Sequence, residues 1–217
     1  MNENIYKDRY NVTQHLIENI RIVEIQEFGY DFLDYVVIYH DEFCNAQKLK
    51  SLIDDYKNKE TVCVIGCCSN QTENLSLTAE TKNSFDLYCS HLCTENDLEN
   101  LVDLLLSVRT GLTHGDPYDI KHFRKDETNN SFSIKYTSYS NKNELTQFFV
   151  NLNNEKNFNS EPYQCFYLSF FCKDEYPIIN NISDIIFQTF KFENNELLST
   201  VVEDNSFDNP KIIVLCS

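Results

Sequence analysis

The alternation of apolar and polar positions in the first half of the chain predicts a layered α/β arrangement. The predicted elements, in chain order, are helix 12–20, strand 21–28, strand 35–39, helix 45–58, strand 61–65, strand 85–89 and helix 94–110. The apolar runs in the second and third strands are continuous, which is typical of strands buried in a parallel sheet. Gly66 is expected to end strand 61–65, and the polar stretch 70–83 is expected to be a loop. The strand–helix–strand order predicts a Rossmann-like layer with right-handed crossovers.

The long helix at 94–110 carries clear local signals. Thr94 followed by Asp97 is a capping-box pattern at its start. Gly111 is expected to end the helix. The apolar stripe that predicts its buried side consists of Leu98, Leu101, Val102, Leu105 and Val108.

Regular patterning returns after the charged and polar stretch 125–130. The predicted elements are strand 132–136, a helix capped by Asn141, strand 163–172, a helix that begins at Pro177, and strands 196–202 and 211–216. This order predicts a second, α+β domain with a four-stranded sheet and two helices on one of its faces. The predicted domains are therefore 1–125 and 126–217.

The charge and composition of the chain limit the classes of partner that it can bind. The formal net charge is −16, and a field of that sign repels nucleic acid and anionic lipid. The simpler interpretation of this charge is solubility. No apolar run approaches the ~18 residues of a membrane helix, and residues 1–10 do not resemble a secretory signal. We expect a cytoplasmic protein with no nucleic-acid or membrane partner.

Nine cysteines without a secretory signal do not predict a disulfide framework. Cys67 and Cys68 follow an apolar run, where cysteine is an ordinary small hydrophobe. The alternation of Cys89, His91 and Cys93 would place all three on one face of a strand and could hold a metal ion. The paired C-x-x-C pattern of zinc sites is missing, so no metal site and no cofactor are predicted.

The segment 109–121 reads R-T-G-L-T-H-G-D-P-Y-D-I-K. Gly111 and Gly115 offer positions where φ can be positive. If Pro117 opens a helix, Asp116 is its N-cap and Asp119 lies in its first turn. Acidic residues are favoured there for structural reasons alone.

Residues 111–121 of this segment resemble a loop of the FtsZ-type, tubulin-related GTPases, whose pattern is Gly-Leu-Ile-Asn-x-Asp-Phe-x-Asp-Val-Lys. In that family the loop reaches the nucleotide pocket of the next subunit in a filament, and its two acids help to position the attacking water. The resemblance makes His114, Asp116, Asp119 and Lys121 the candidate partner-contact residues. Asp116, Asp119 and Lys121 match the pattern, whereas His114 replaces an asparagine and Pro117 replaces an aromatic residue.

The order of elements extends the resemblance over about residues 31–217. Residues 201–207, V-V-E-D-N-S-F, resemble the family's Ala-Val-Ile-Asp-Glu-Ser-Leu, and a Val-rich strand follows in both. Residues 61–65 resemble the family strand Leu-Thr-Val-Ala-Val-Val. The resemblance implies that 1–125 is a truncated GTPase-like domain ending in helix 94–110 and the acidic loop, and that 126–217 is similar to the C-terminal domain of FtsZ.

The chain departs from the family where the phosphates would bind. The family has Gly-Gly-Gly-Thr-Gly-Ser/Thr-Gly after the strand that corresponds to 35–39, whereas this chain has H-D-E-F-C-N-A at 40–46. Asp41 and Glu42 would face phosphate of like charge. No Walker-type motif occurs either. We therefore expect no GTP binding by the family's mechanism and no GTPase activity.

The retained loop beside the missing phosphate cradle predicts a non-catalytic protein that acts by association. One competent face would let it cap or regulate a filament of an FtsZ-type partner, or associate with itself. Two alternatives stay open. The α/β domain could bind an unrelated small molecule. It could also be a cysteine-dependent enzyme, with Cys67 or Cys68 as nucleophile and His91 or His114 as base.

Overall fold

The computed structural model describes residues 9–41, 43–59, 61–69, 77–89, 93–108, 115–123, 130–155, 163, 165–173, 184–185, 196–203 and 209–217. The strands are β1 (Tyr10–Ile17), β2 (Ile20–Glu27), β3 (Tyr35–His40), β4 (Cys63–Cys68), β5 (Leu87–Cys89), β6 (Ser131–Ser138), β7 (Cys165–Cys172), β8 (Glu196–Glu203) and β9 (Lys211–Cys216). The helices are α1 (Ala46–Asn58), α2 (Ala79–Asn83), α3 (Glu95–Ser107), α4 (Pro117–Lys121) and α5 (Lys142–Asn154).

The nine strands found among the described residues form one sheet in the order β1-β2-β3-β4-β5-β6-β9-β7-β8. β3, β4, β5 and β6 are parallel; the buried apolar runs predicted this for β3 and β4. β1, β2 and β3 pair in antiparallel fashion, and β9 lies antiparallel between β6 and β7. β5 pairs with β6 across the predicted boundary at 125/126, so the sheet is continuous there. The division into two domains stays a prediction.

The alternation of side chains in the C-terminal strands divides the core between two helices. In β7, Tyr167 and Phe171 belong to the cluster that contains the buried side of α3. Phe166, Leu168 and Phe170 point the other way and pack with α5. The period of two residues in a strand therefore places α3 on one face of the sheet and α5 on the other.

The N-terminal strands follow the same rule. Val37 in β3 and Ile65 in β4 face α3, while Ile38 and Val64 face the side that holds α1. α1 begins at the N-cap Asn45, as its pattern predicts. The predicted capping box at the start of α3 is also present, and its buried stripe packs against the sheet. The molecule is thus a sheet covered by helices on both faces.

The predicted helix at 12–20 is wrong, because this segment forms β1 and the turn into β2. Val12, Leu16 and Ile17 lie on an exposed edge strand, with Leu16 75% exposed. The buried helical face was predicted from Leu16, Ile17 and Ile20; of these only Ile20 is buried, and it is the first residue of β2. Glu18 has φ 55°, which makes the tight turn between the two strands. Pairing with β2 therefore outweighs the local pattern.

Gly66 does not end a strand, as the sequence predicted, but lies inside β4. A Cβ at this position would stand 2.7 Å from Tyr88 Cδ2 and 2.9 Å from the Phe85 ring. The glycine is therefore required because aromatic side chains pack directly on the backbone.

Two further predicted elements fall partly outside the residues that the structure describes. The stretch predicted as a loop at 70–83 contains α2 at its end, and residues 70–76 lie outside the described residues. Most of the helix predicted to begin at Pro177 also lies outside them, although Ile185 packs in the same core cluster as α5. Among the described residues, no helix combines the length and apolar character needed to cross a membrane.

Candidate functional site

The acidic segment forms a short helix whose two carboxylates bond to its own backbone. Asp116 is the N-cap of α4, and its Oδ1 accepts a hydrogen bond of 2.9 Å from the Tyr118 N–H. Asp119 Oδ2 accepts one of 2.8 Å from the Asp116 N–H. Pro117 occupies the first helical turn. The capping role that the sequence left open is therefore present, and it uses both acids.

α4 is fixed to the core by its inner side. Pro117, Ile120 and Phe123 are buried. The Gly115 N–H donates a 2.7 Å hydrogen bond to the Val108 carbonyl oxygen at the end of α3. A Cβ on Gly115 would stand 2.9 Å from Val108 Cγ1, so close approach rather than positive φ explains this glycine. These contacts hold α4 in one position although it is only five residues long.

The outer side of α4 presents Asp116, Tyr118, Asp119 and His122 to solvent. Tyr118 is 52% exposed. Its ring stacks with that of His122 at 6.3 Å between centroids, and His122 Nδ1 lies 2.8 Å from the Tyr118 carbonyl oxygen. We call these four residues the α4 face. It combines two carboxylates with an exposed aromatic pair.

The other predicted contact residues are placed differently. Lys121 is partly buried, and its Nζ lies 3.9 Å from Asp86 Oδ1. Asp86 is also 3.3 Å from Lys57 Nζ and accepts a hydrogen bond from the Val64 N–H. Lys121 therefore helps to hold α4 against the start of β4 and β5. His114 and Gly111 lie outside the described residues.

The carboxyl end of β3 leads directly into α1, and side chains bond to the backbone there. Asn45 Oδ1 accepts hydrogen bonds from the N–H groups of Gln47 at 2.9 Å and Lys48 at 3.1 Å. Asp41 Oδ1 accepts one of 3.0 Å from the Phe43 N–H. These donors are the ones that a helix N-terminus would otherwise offer to an anion.

α4 and the start of α1 lie at opposite edges of the parallel sheet. α4 lies beside Thr61 and Val62, which precede β4. The start of α1 follows the carboxyl end of β3, and β3 is parallel to β4. The α4 face and the start of α1 therefore lie at opposite ends of the parallel strands.

The histidine at the end of β3 is buried and neutral. Burial lowers the pKa of His40, and this outweighs the opposite influence of the Asp41 carbonyl. His40 Nδ1 lies 3.5 Å from Cys44 Sγ, and its Nε2 lies 3.4 Å from the Tyr88 hydroxyl. Burial also raises the pKa of the Cys44 thiol to about 11, which keeps it protonated. This Cys–His pair does not have the properties of an activated nucleophile.

The predicted cysteine nucleophile is likewise protonated. Hydrogen bonds that the Cys67 thiol donates to Cys89 and Cys93, together with burial, hold its pKa well above the usual value. Both predicted bases, His91 and His114, lie outside the described residues. A reactive thiol requires a lowered pKa, so the surroundings of Cys67 disfavour this role.

The structure brings Cys67 together with Cys89 and Cys93, which sequence analysis had grouped with His91. Cys67, Cys89 and Cys93 are buried, and their Sγ atoms all lie within 4.8 Å of one another. The alternation predicted that Cys89 and Cys93 share a strand. This prediction is wrong, because β5 ends at Cys89. The signal that could have revealed the cluster is that Cys67 and Cys89 lie near the carboxyl ends of neighbouring parallel strands.

A groove of about 360 Å³ lies between β2 and α3. Arg21 forms a salt bridge with Glu95 at one side of it, and Glu99 and Asp103 continue the acidic edge along α3. Its volume is in the range of small-molecule sites, but it is open, and the net charge of its charged lining residues is negative. Sequence analysis did not identify these residues.

Comparison with known proteins supports a distant fold relationship. The sequence matches no protein-family model and no curated protein. Among solved structures, the chain is similar to CetZ from Methanosaeta thermophila strain DSM 6194, a tubulin/FtsZ-family protein, with a TM-score of 0.52 and 9% sequence identity. The match covers 86% of this chain and 62% of that chain, so this chain spans less than two thirds of its neighbour. The fold is therefore distantly tubulin-like, as the motif order predicts.

Proposed function

We propose that this protein acts by association with other proteins and does not turn over nucleotide. Its partner is a filament-forming GTPase of FtsZ type, which it caps or regulates through the α4 face; association between copies of the chain would use the same face. The observation that carries the proposal is the location of a fixed, exposed α4 face at one edge of the sheet, opposite the start of α1.

The start of α1 supports the absence of nucleotide turnover. The segment 40–46 contains no glycine, so side chains stand where backbone would have to approach phosphate. Asn45 and Asp41 already accept hydrogen bonds from the nearby backbone donors. The Asp41 carboxylate adds like charge to that of a phosphate. These residues do not fit a nucleotide phosphate.

The α4 face supports binding at this edge. Tyr118 offers an exposed aromatic side chain, a residue type enriched at protein interfaces. Asp116 and Asp119 retain unpaired lone pairs on exposed carboxylates after capping. Because buried residues fix α4, little conformational freedom would be lost on binding.

The test separates the charge of the acids from their structural role. Purified protein is mixed with a polymerising FtsZ-type GTPase from the same cell, and sedimented polymer and GTP turnover are measured together. We expect both to fall at substoichiometric amounts of this protein. The double variant Asp116→Ser/Asp119→Gln removes both charges but retains side chains that form capping boxes, so it should fold and lose the effect.

Two further variants identify the surface. Tyr118→Ala should weaken the effect, whereas Phe43→Ala, which removes an exposed aromatic side chain after the carboxyl end of β3, should leave it unchanged. Sedimentation velocity of the protein alone would reveal self-association as a concentration-dependent increase in mass. Absence of co-sedimentation, of any change in turnover and of self-association would contradict the proposal.

A further inference from the structure

The three thiols of Cys67, Cys89 and Cys93, which we call the thiol cluster, come from three different segments. Cys67 lies in β4, Cys89 is the last residue of β5, and Cys93 lies two residues before α3. Their Sγ atoms lie within 4.8 Å of one another. Each side chain is at most 1% exposed. Neither the fold comparison nor the proposed association uses them.

We propose that the thiol cluster binds one thiophilic metal ion with a filled d shell, Zn²⁺ or Cu⁺. Three sulfur donors without a carboxylate among them match the preference of these ions, and they do not suit Mg²⁺ or Ca²⁺, which require oxygen ligands. Cu⁺ would be held by the three sulfurs alone. Zn²⁺ would take a fourth ligand in addition.

The spacing of the sulfur atoms is close to what such an ion needs. With Zn–S bonds of about 2.3 Å, the sulfurs around one ion stand roughly 3.8 Å apart in tetrahedral geometry and about 4.0 Å apart in a trigonal plane. The observed separations, all within 4.8 Å, require a contraction of less than about 1 Å per pair. Rotation about the Cα–Cβ bonds can supply a contraction of this size.

The backbone holds all three segments in place. β4 and β5 are neighbours in the sheet, and their last paired residues directly precede Cys67 and Cys89. The Cys93 N–H donates a 2.9 Å hydrogen bond to the Cys68 carbonyl oxygen. The Cys93 carbonyl oxygen accepts one of 3.0 Å from the Tyr39 hydroxyl. The next residue, Thr94, begins the capping box of α3. Two of the donors therefore lie in strands, and backbone hydrogen bonds fix the third, Cys93, just before α3.

Ordinary core packing is the alternative, because cysteine often acts as a small hydrophobe. The two interpretations differ in what they predict for a neighbouring cysteine. Cys63 lies in the same strand and packs in the same core cluster as Cys67, and it is equally buried, but it does not belong to the thiol cluster. Cys63 therefore provides a matched control.

The experiment uses the full chain, purified without oxygen and with a reductant that does not bind metals. Zn²⁺ is titrated in competition with a chromophoric chelator, and Cu⁺ in competition with a Cu⁺-specific one. We expect roughly one ion per chain. Affinity should rise with pH, because the thiols release protons on binding. Cys67→Ser and Cys89→Ser should each weaken binding at least about tenfold, while Cys63→Ser should retain it.

A measurement on the unaltered protein decides the matter if the variants do not fold. Cd²⁺ added to the reduced protein should produce a sulfur-to-metal charge-transfer band that saturates at roughly one equivalent, with an amplitude appropriate to three thiolates. The proposal is overturned if no band appears, if Cys63→Ser loses as much affinity as Cys67→Ser, or if the reduced protein takes up neither Zn²⁺ nor Cu⁺.

Discussion

Asp119 and Asp116 are joined by a 2.8 Å hydrogen bond, in which the Asp119 carboxylate accepts the Asp116 backbone N–H. Asp116 in turn caps α4 through its own carboxylate. The two acids that match the acidic pair of the FtsZ-type loop therefore form the capping box of α4 in this chain. Both remain exposed, so their structural role does not prevent contact with another protein.

This relationship predicts that Asp116 contributes to stability through its side-chain oxygen and not through its charge alone. Asp116→Ala should lower the free energy of unfolding by about 0.5–2 kcal/mol, whereas Asp116→Ser should recover most of this loss because serine also caps helices. Urea unfolding followed by circular dichroism measures both. Equal losses for alanine and serine would show that the cap contributes little.

The packing at Gly66 leads to a second prediction. Gly66→Ala places a methyl group against the rings of Phe85 and Tyr88, so the free energy of unfolding should fall by about 1–3 kcal/mol. Adding Phe85→Leu should restore part of the loss in the double variant, because the smaller side chain makes room. Thermal and urea unfolding of the single and double variants provide the measurement. Additive losses would contradict the steric explanation.

Sequence periodicity was sufficient where an element is amphipathic and capped by its own residues. α3 and α5 begin at the predicted caps, α1 begins within one residue of the predicted start, and β9 covers the predicted residues. It failed at residues 12–20, because the edge strand β1 exposes Val12, Leu16 and Ile17 and has no buried face to impose a period of two. It failed at Gly66 because the reason for that glycine lies in Phe85 and Tyr88, which no local pattern connects to it.

The candidate site was predictable to a similar degree. The capping of α4 follows from the order Asp116-Pro117 and the acid at 119, and it was foreseen as an alternative. The engagement of Lys121 with Asp86 and the assembly of the thiol cluster depend on strand neighbours. Such contacts are set by sheet order, which a single sequence does not determine.

The buried imidazole of His40 predicts a loss of stability in mild acid. Burial lowers its folded-state pKa below the ordinary value of 6.5. Between these two pKa values the unfolded chain binds more protons, so stability is full above about pH 6.5, falls as the pH decreases through it, and levels off below the folded-state pKa. Asp41 opposes this shift and Lys82 adds to it.

His40→Gln should therefore flatten the dependence of stability on pH between about 7.5 and 5.5, by about 1.4 kcal/mol for each unit of pKa shift. The measurement is the free energy of unfolding in urea at both pH values. Parallel slopes for His40→Gln and the unaltered protein would exclude His40 as the source.

Ser107 in α3 and Ser169 in β7 predict a coupling between the long helix and the C-terminal strands. Their hydroxyl oxygens lie 2.6 Å apart, and both side chains are buried. Ser107 also donates to the Leu104 carbonyl oxygen, so it keeps a partner when Ser169 is replaced. In Ser107→Ala, the Ser169 hydroxyl loses this hydrogen bond and stays buried. Ser107→Ala should therefore cost about 1–3 kcal/mol and Ser169→Ala less.

The double variant Ser107→Ala/Ser169→Ala should be more stable than the sum of the two single losses implies, because it leaves no hydroxyl buried at this contact. A double-mutant cycle from urea unfolding measures this coupling. Thr146→Ala, an exposed hydroxyl in α5 that bonds only within its own helix, provides a control without coupling to Ser169. If the Ser107 and Ser169 losses add without a remainder, the hydroxyl pair does not link α3 to the sheet. A positive coupling would show that this pair helps to set the position of α3. It would then also influence α4, because the Gly115 N–H, just before α4, donates a hydrogen bond to the Val108 carbonyl oxygen at the end of α3.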